Sequence, residues 1–264
     1  VLEVYRAQLK ALIPQIKDYK SLATICITNE PTYETKNQGD IFLEDWQDYL
    51  KKLYNNDINR LNENYNTSFA GFDNITFDFE NGTPEYYDYV CFNNEFFNEF
   101  HKFLADTIKE FGPNIPVHAK MMDYTSSGDS DVKYNYYSYG TDHELFSEWS
   151  DLNGCDAWAY YDSTTYKMQS KMAWYDLMKS IKKVPIVNSE DHIIPDRNVS
   201  YIPQQAKQVG TDMWQGAIHG RSISDIWLWE RSYDSGSDFY GSILHRPDCI
   251  AAVSDATMDL NRLS

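Results

Sequence analysis

The sequence predicts an α/β fold, specifically a (β/α)8 TIM barrel of which about five C-terminal βα units are present. Three observations carry that prediction. Helix-like segments alternate with short apolar strands along the whole chain. No two predicted strands are joined by a hairpin signal, so the strands are expected to run parallel, with right-handed crossovers. The first strand stops at Asn29-Glu30-Pro31, where an open doubly wound sheet usually carries a glycine-rich phosphate loop.

The elements follow in order. An amphipathic helix, Val4 to Tyr19, leads into a strand from Leu22 to Thr28, which Pro31 closes because it bars its predecessor from a helix. An insertion of about residues 36–83 follows, with a helix near Leu43 to Tyr54 and a loop-rich stretch from Asn62 to Gly82. A helix from Glu85 to Phe111 ends at Gly112-Pro113 and feeds a strand from Ile115 to Met121. After a polar loop, Asp123 to Asp142, come a helix around Glu144 to Ser150 and a strand from Cys155 to Tyr160. The helix Met168 to Ile181 precedes a strand from Val184 to Ser189 that ends at Glu190. The helix Gln204 to His219 precedes the last strand, Ile223 to Trp229, and a terminal helix lies near Ile250 to Leu263. Eight units take about 250 residues, so three N-terminal units are expected from polypeptide outside this stretch, and residues 1–264 form a single catalytic-barrel portion.

The chain has 264 residues, enough for one large core. Its net charge of −17 argues against binding nucleic acid or anionic lipid through a basic face. Apolar runs such as Ala23 to Ile27 are far shorter than the roughly 18 residues needed to span a bilayer. Residues Val1 to Lys10 do not resemble a signal peptide and read as a helix already under way, so the chain could be cytoplasmic or secreted. Cys26, Cys91, Cys155 and Cys249 show no CxxC spacing, and reduced, buried thiols are expected. No metal or cofactor is expected: His118, Asp123, His143 and His192 lack HxH or HExxH spacing. The high aromatic content, 16%, suits sugar stacking or core packing equally.

In a barrel the active site lies at the C-terminal strand ends. Two carboxylates sit there, Glu30 and Glu190. Glycoside hydrolysis needs one carboxyl group to protonate the leaving oxygen and another to attack or stabilise the anomeric carbon. Asn29 supplies an amide suited to a sugar 2-hydroxyl. The last strand ends in an aromatic wall, and of Trp227 and Trp229 one is expected to pack in the core and the other to face the pocket.

These residues resemble clan A of the glycoside hydrolases: Asn29-Glu30-Pro31 is similar to its fourth-strand acid/base motif, and Glu190 falls where its seventh-strand nucleophile belongs. Finer detail resembles glycoside hydrolase family 42, the β-galactosidase-like enzymes. The segments Tyr49 to Tyr54, Arg60 to Phe69, Trp174 to Ser180 and Gln215 to Gly220 carry that resemblance, which runs from Val4 to Leu263. It implies a retaining β-glycoside hydrolase acting on a carbohydrate by double displacement, with Glu190 ionised and Glu30 raised in pKa. It further implies that Tyr160 or Tyr161, at the sixth-strand end, orients the nucleophile.

After the eighth strand the family pattern expects Gly-x-Glu-x-x-His. This chain has Asp238 in place of the Glu and Gly241 in place of the His, which points to sugar contacts unlike those of a simple galactosidase. Asp191-His192, more charged than the pattern, suggests a different subsite. The alternatives are another clan A activity, agarase-like or mannan-directed, and a non-catalytic carbohydrate-binding relative. A homo-oligomer is left open.

Overall fold

The computed structural model describes residues 1–122, 140–158, 160–161, 166–194, 204–227 and 243–263. Five strands form one sheet: β1 (Ile25–Asn29), β2 (Val117–Met122), β3 (Asn153–Asp156), β6 (Ile186–His192) and β7 (Arg221–Trp227), in that spatial order. Every neighbouring pair is parallel. Helices α1 (Leu2–Ile16), α4 (Pro84–Phe111), α5 (His143–Trp149), α6 (Gln169–Ile181) and α7 (Gln205–Ile218) precede the five strands in turn, and α8 (Pro247–Leu263) closes the chain. This is the predicted succession of barrel units. Among the described residues β1 and β7 are the sheet edges, and nothing pairs with the free side of β1.

Three details differ from expectation. Residues Tyr160–Tyr161 (β4) and Tyr166–Lys167 (β5) form a short antiparallel ribbon, although no hairpin was expected. Their connection lacks the two-residue Asn-Gly type signal on which hairpin recognition rests. Helix α3 (Ile58–Tyr65) occupies part of the stretch read as loop-rich from Asn62. It starts because the Asp57 carboxylate accepts from the backbone N–H groups of Asn59 and Arg60, and it ends at Asn66 in the left-handed conformation. Cys26 is exposed, on edge strand β1, whereas Cys155 and Cys249 are buried as expected; all four thiols are free.

The chain divides into two compact units. The first comprises Val1–Glu30, Leu104–Gly128 and Ser147–Ser264. It contains the sheet, with Ile13, Ala105, Ile108, Ile115 and Val117 packed together near β1 and β2. Cys155, Met172, Trp174, Tyr175, Met178 and Ile186 pack beneath β3 and β6. Full burial of one such aliphatic or aromatic side chain contributes about 1.5–3 kcal/mol. Where β3 meets β2 the backbones are so close that a Cβ on Gly154 would lie 2.1 Å from the Ala119 carbonyl oxygen. Only glycine fits there.

The second unit, Pro31–Phe103 and Asp129–Phe146, absorbs much of the aromatic content. Trp46, Tyr54, Phe72, Tyr89 and Phe92 form its core with Leu50, Leu61 and Ile75. The Tyr54 and Tyr65 hydroxyls both donate to Asp88 Oδ2, at 2.6 and 2.7 Å, so these phenols are satisfied inside the unit. Here the rings serve packing. No helix among the described residues is long and apolar enough to cross a membrane.

Candidate active site

Four strand ends of the first unit converge on one cluster. Glu30 follows β1, Lys120 lies on β2, Asp156 ends β3, and Glu190 and His192 lie near the end of β6. One carboxyl oxygen from each of Glu30, Asp156 and Glu190 lies within 4.8 Å of the others. The two glutamates predicted from strand ends are thus brought together.

Local backbone irregularity aims both of them. The β1–β2 register shifts between Cys26 and Asn29, and the Glu30 backbone N–H then donates to the Lys120 carbonyl at 2.9 Å. Glu30 has φ +46°, a left-handed conformation that costs a non-glycine residue about 1–3 kcal/mol and clusters at functional sites. On the other side, β6 slips against β7 between Asn188 and Asp191. That bulge breaks the two-residue alternation. Asn188 and Asp191 therefore turn together into the buried layer, where Asn188 Nδ2 donates to Asp191 Oδ1 at 3.1 Å, while Glu190 and His192 share the other side, 3.1 Å apart.

Asp191 is not at a subsite. It is wholly buried in a quartet with Lys171 of α6, Asp212 of α7 and Arg221 of β7. Lys171 pairs with Asp191 and, at 3.0 Å, with Asp212; Arg221 pairs with Asp191 and, at 2.8 Å, with Asp212. The Ser224 hydroxyl adds a bond to Asp191 at 2.6 Å. Two carboxylates face two cations, which is the condition for tolerating buried charge. Glycine at 216 makes room for it, since a Cβ there would lie 2.5 Å from the Arg221 guanidinium carbon. The quartet ties α6, α7 and β7 to the residue next to Glu190.

Lys120 is the central cation. Its side chain is 4% exposed, it forms an ion pair with Glu190, and its ammonium lies 3.6 Å from Glu30 Oε1. Carboxyl oxygens of Asp156 and Glu30 lie within 4.8 Å of each other. Hydrogen bonding to Asp156 holds Glu30 below its usual carboxylate range, against an opposing push from burial and with help from Lys120 and His192. Asp156 is pushed up to about 8, first by burial and then by its hydrogen bond to Glu30 and the charge there. The expected elevation of Glu30 is therefore corrected. The raised group is its neighbour Asp156, because Asp156 is the more deeply buried of the pair and Lys120 favours the charged form of Glu30.

The other predicted positions fare unevenly. Asn29 is exposed at the end of β1, paired in register with Lys120. Trp227 pairs with His192 across β6 and β7, with ring centroids 5.9 Å apart. The expected split between Trp227 and Trp229 does not follow from strand alternation, because residues two apart share a face, and Trp229 lies outside the described residues. Asp238 and Gly241 lie outside them as well. Tyr160 and Tyr161 fall in β4, and their side chains lie outside what the structure describes; among the described residues Lys120 and His192 pair with Glu190. Trp158 was not anticipated; its ring stacks on His192 at 4.1 Å. His118 sits against Thr24, its Nδ1 3.0 Å from the hydroxyl, and burial pushes it down to about 4.

Lys120 and Asp156 were missed although each left a signal. Lys120 is the one charged side chain apart from histidine in the run Val117-His118-Ala119-Lys120-Met121-Met122, and Asp156 directly follows Cys155 in a strand buried throughout. An ionisable residue inside an apolar strand needs a partner, and the strand-end glutamates were the candidates.

The chain's likeness to known proteins agrees with this geometry. The family model for glycoside hydrolase family 42, described as beta-galactosidase, matches residues 2–253. Beta-galactosidase Pbg of Clostridium perfringens is 24% identical over 260 residues, covering 91% of this chain and 36% of that protein. The apo exo-carrageenase of this family from Bacteroides ovatus superposes with a TM-score of 0.77 at 25% identity, covering 98% of this chain and 39% of its own. The beta-galactosidase from Rahnella sp. R3 gives 0.77 at 16% identity, covering 99% and 39%. The chain thus spans between a third and two-fifths of the length of these relatives. Its five parallel strands are those of a (β/α)8 barrel, and the chain belongs to glycoside hydrolase family 42.

Proposed function

We propose that this chain carries both reacting carboxylates of a retaining β-glycoside hydrolase, with Glu190 as nucleophile and Glu30 as general acid/base. The observation that carries the reading is the closeness of Glu30 and Glu190, whose nearest oxygens lie within 4.8 Å. Retaining enzymes hold their two carboxyl groups about 5–5.5 Å apart, whereas an inverting enzyme needs about 6.5–9.5 Å to seat a water between them.

Lys120 fits both steps of a double displacement. It pairs with Glu190 and so favours the ionised nucleophile. Once Glu190 is esterified to the sugar it is neutral, and the ammonium 3.6 Å from Glu30 Oε1 then favours the ionised form of Glu30, the form that accepts a proton from water. A non-catalytic carbohydrate-binding protein has no use for this pairing. The substrate is a β-linked galactose-type glycan, by kinship with the beta-galactosidase of Clostridium perfringens. A second reading, attack on the end of a polysaccharide chain, is favoured by the likeness to the Bacteroides ovatus exo-carrageenase. Further polypeptide of the same protein would complete the barrel beside the free side of β1.

The test is made on the full-length protein that contains this chain. Glu190→Ala should abolish turnover of an aryl β-galactoside, and added azide should restore some of it while yielding the glycosyl azide of inverted configuration. Undiminished activity in Glu190→Ala would overturn the assignment.

A further inference from the structure

We propose that His192 is the positioning residue for the nucleophile: its Nε2–H holds Glu190 Oε1, so that Oε2 is the oxygen that bonds to the anomeric carbon. This inference rests on the retaining reading and adds to it which oxygen of Glu190 reacts and what aims it. Of the two residues that make Asp191-His192 more charged than the family pattern, Asp191 belongs to the buried quartet. His192 is the one that meets the nucleophile.

The imidazole Nε2 lies 3.1 Å from Glu190 Oε1. An ionised carboxylate can only accept, so the hydrogen of this contact sits on Nε2. Lys120 donates to the other oxygen, Oε2, and the Glu190 backbone N–H donates to Asn188 Oδ1 at 3.3 Å. A donor on each oxygen and a tied main chain fix the carboxylate in one orientation. The Lys120 ammonium also lies 3.6 Å from Glu30 Oε1, which puts Oε2 on the side facing Glu30. A glycosidic bond attacked by one glutamate and protonated by the other lies on that side.

The sheet itself keeps the imidazole in place. His192 is flanked in parallel register by Trp158 on one side and Trp227 on the other, and neighbouring strands lie about 4.8 Å apart. Rings at matched positions therefore meet. Trp158 stacks on the imidazole with centroids 4.1 Å apart and planes 26° apart, and Trp227 lies against it at 5.9 Å and 37°. The His192 side chain is 6% exposed, and swinging the ring away from Glu190 would break both ring contacts.

The two steps then differ in what His192 does. In the first, Oε2 bonds to the anomeric carbon as the glycosidic C–O bond breaks, and the departing oxygen takes the Glu30 proton. Oε1 becomes the ester carbonyl oxygen, still held by His192. In the second, a water oxygen bonds to the anomeric carbon, its proton goes to Glu30, and the bonding pair returns to Oε2. Negative charge rebuilds on the carboxylate, so the Nε2–H bond to Oε1 is stronger in this transition state than in the ester and speeds the step.

The test uses the full-length protein. His192→Phe keeps a ring between the tryptophans and removes the donor, whereas His192→Gln keeps an N–H of similar reach. With a dinitrophenyl β-galactoside, His192→Phe should lower kcat at least about tenfold without raising KM, the split expected when only transition-state stabilisation is lost. The enzyme trapped with a 2-deoxy-2-fluoro β-galactoside should reactivate more slowly by a similar factor, and His192→Gln should recover most of both losses. An unaltered kcat in a folded His192→Phe, or a His192→Gln as slow as His192→Phe, would overturn the inference. A crystal structure of the trapped wild type decides it even if the variants fail to fold: the sugar should be bonded to Oε2, with the ester carbonyl oxygen within about 3.2 Å of His192 Nε2. An ester on Glu190 whose carbonyl oxygen lies away from His192 sinks this inference and spares the proposed function. Inversion with no ester on Glu190 sinks the proposed function itself, so the two failures are distinguishable.

Discussion

Lys120 forms an ion pair with Glu190 while its ammonium stays 3.6 Å from Glu30 Oε1, so one buried cation serves both glutamates of the site. A lysine whose side chain is 4% exposed is stable there only because its charge is met, and its removal strands two negative groups.

Lys120→Met is therefore expected to lower kcat by about two orders of magnitude, the scale seen when one preorganised electrostatic partner is lost. Lys120→Arg should recover part of the loss. Steady-state kinetics on an aryl β-galactoside check this; a fall of less than a few-fold in Lys120→Met would contradict it.

The Glu30–Asp156 pair also predicts how stability depends on pH. Asp156 is raised from an unfolded value of about 3.9 to about 8 in the fold, so between these values the native state binds more protons than the unfolded chain. Stability should fall as pH rises through that window and level off above about 8. Glu30, held low, acts in the opposite sense: its contribution is present above its unfolded value and is lost as pH falls through the folded one. Urea midpoints measured across pH should show the decline in wild type and a flatter profile in Asp156→Asn.

The buried quartet of Lys171, Asp191, Asp212 and Arg221 gives a third expectation. Lys171→Met leaves two buried carboxylates with one cation and should cost about 3–5 kcal/mol, as for other broken buried pairs. Pairing it with Asp212→Asn restores charge balance and should recover part of that cost. Urea denaturation of the two variants decides it, and a double variant no more stable than the single one would argue against charge balance as the cause.

Much of this architecture was legible in the chain. Alternating periodicity placed α1, α2 (Leu43–Leu53), α4, α6 and α7 to within a few residues, and Pro31 and Gly112-Pro113 marked true boundaries. Strand-end position was enough to pick out Glu30 and Glu190. What escaped depends on relations that a linear pattern does not carry. The bulge between Asn188 and Asp191 turned an apparent subsite residue into a member of a buried charge network. Lys120 and Asp156 matter through partners on other strands, and which of two close carboxyl groups keeps the proton is decided by relative burial. Helix α3 depends on a single capping side chain, Asp57, within a stretch of weak periodicity.

The most direct test of the central claim is to trap the intermediate. The full-length protein is incubated with a 2-deoxy-2-fluoro β-galactoside bearing a good leaving group, digested, and mapped by mass spectrometry. The account predicts one fluoro-sugar attached to the peptide containing Glu190, on that side chain, and no label in Glu190→Gln. A label on Glu30 or Asp156, or hydrolysis of the parent substrate with inversion and no trapped species, would contradict it.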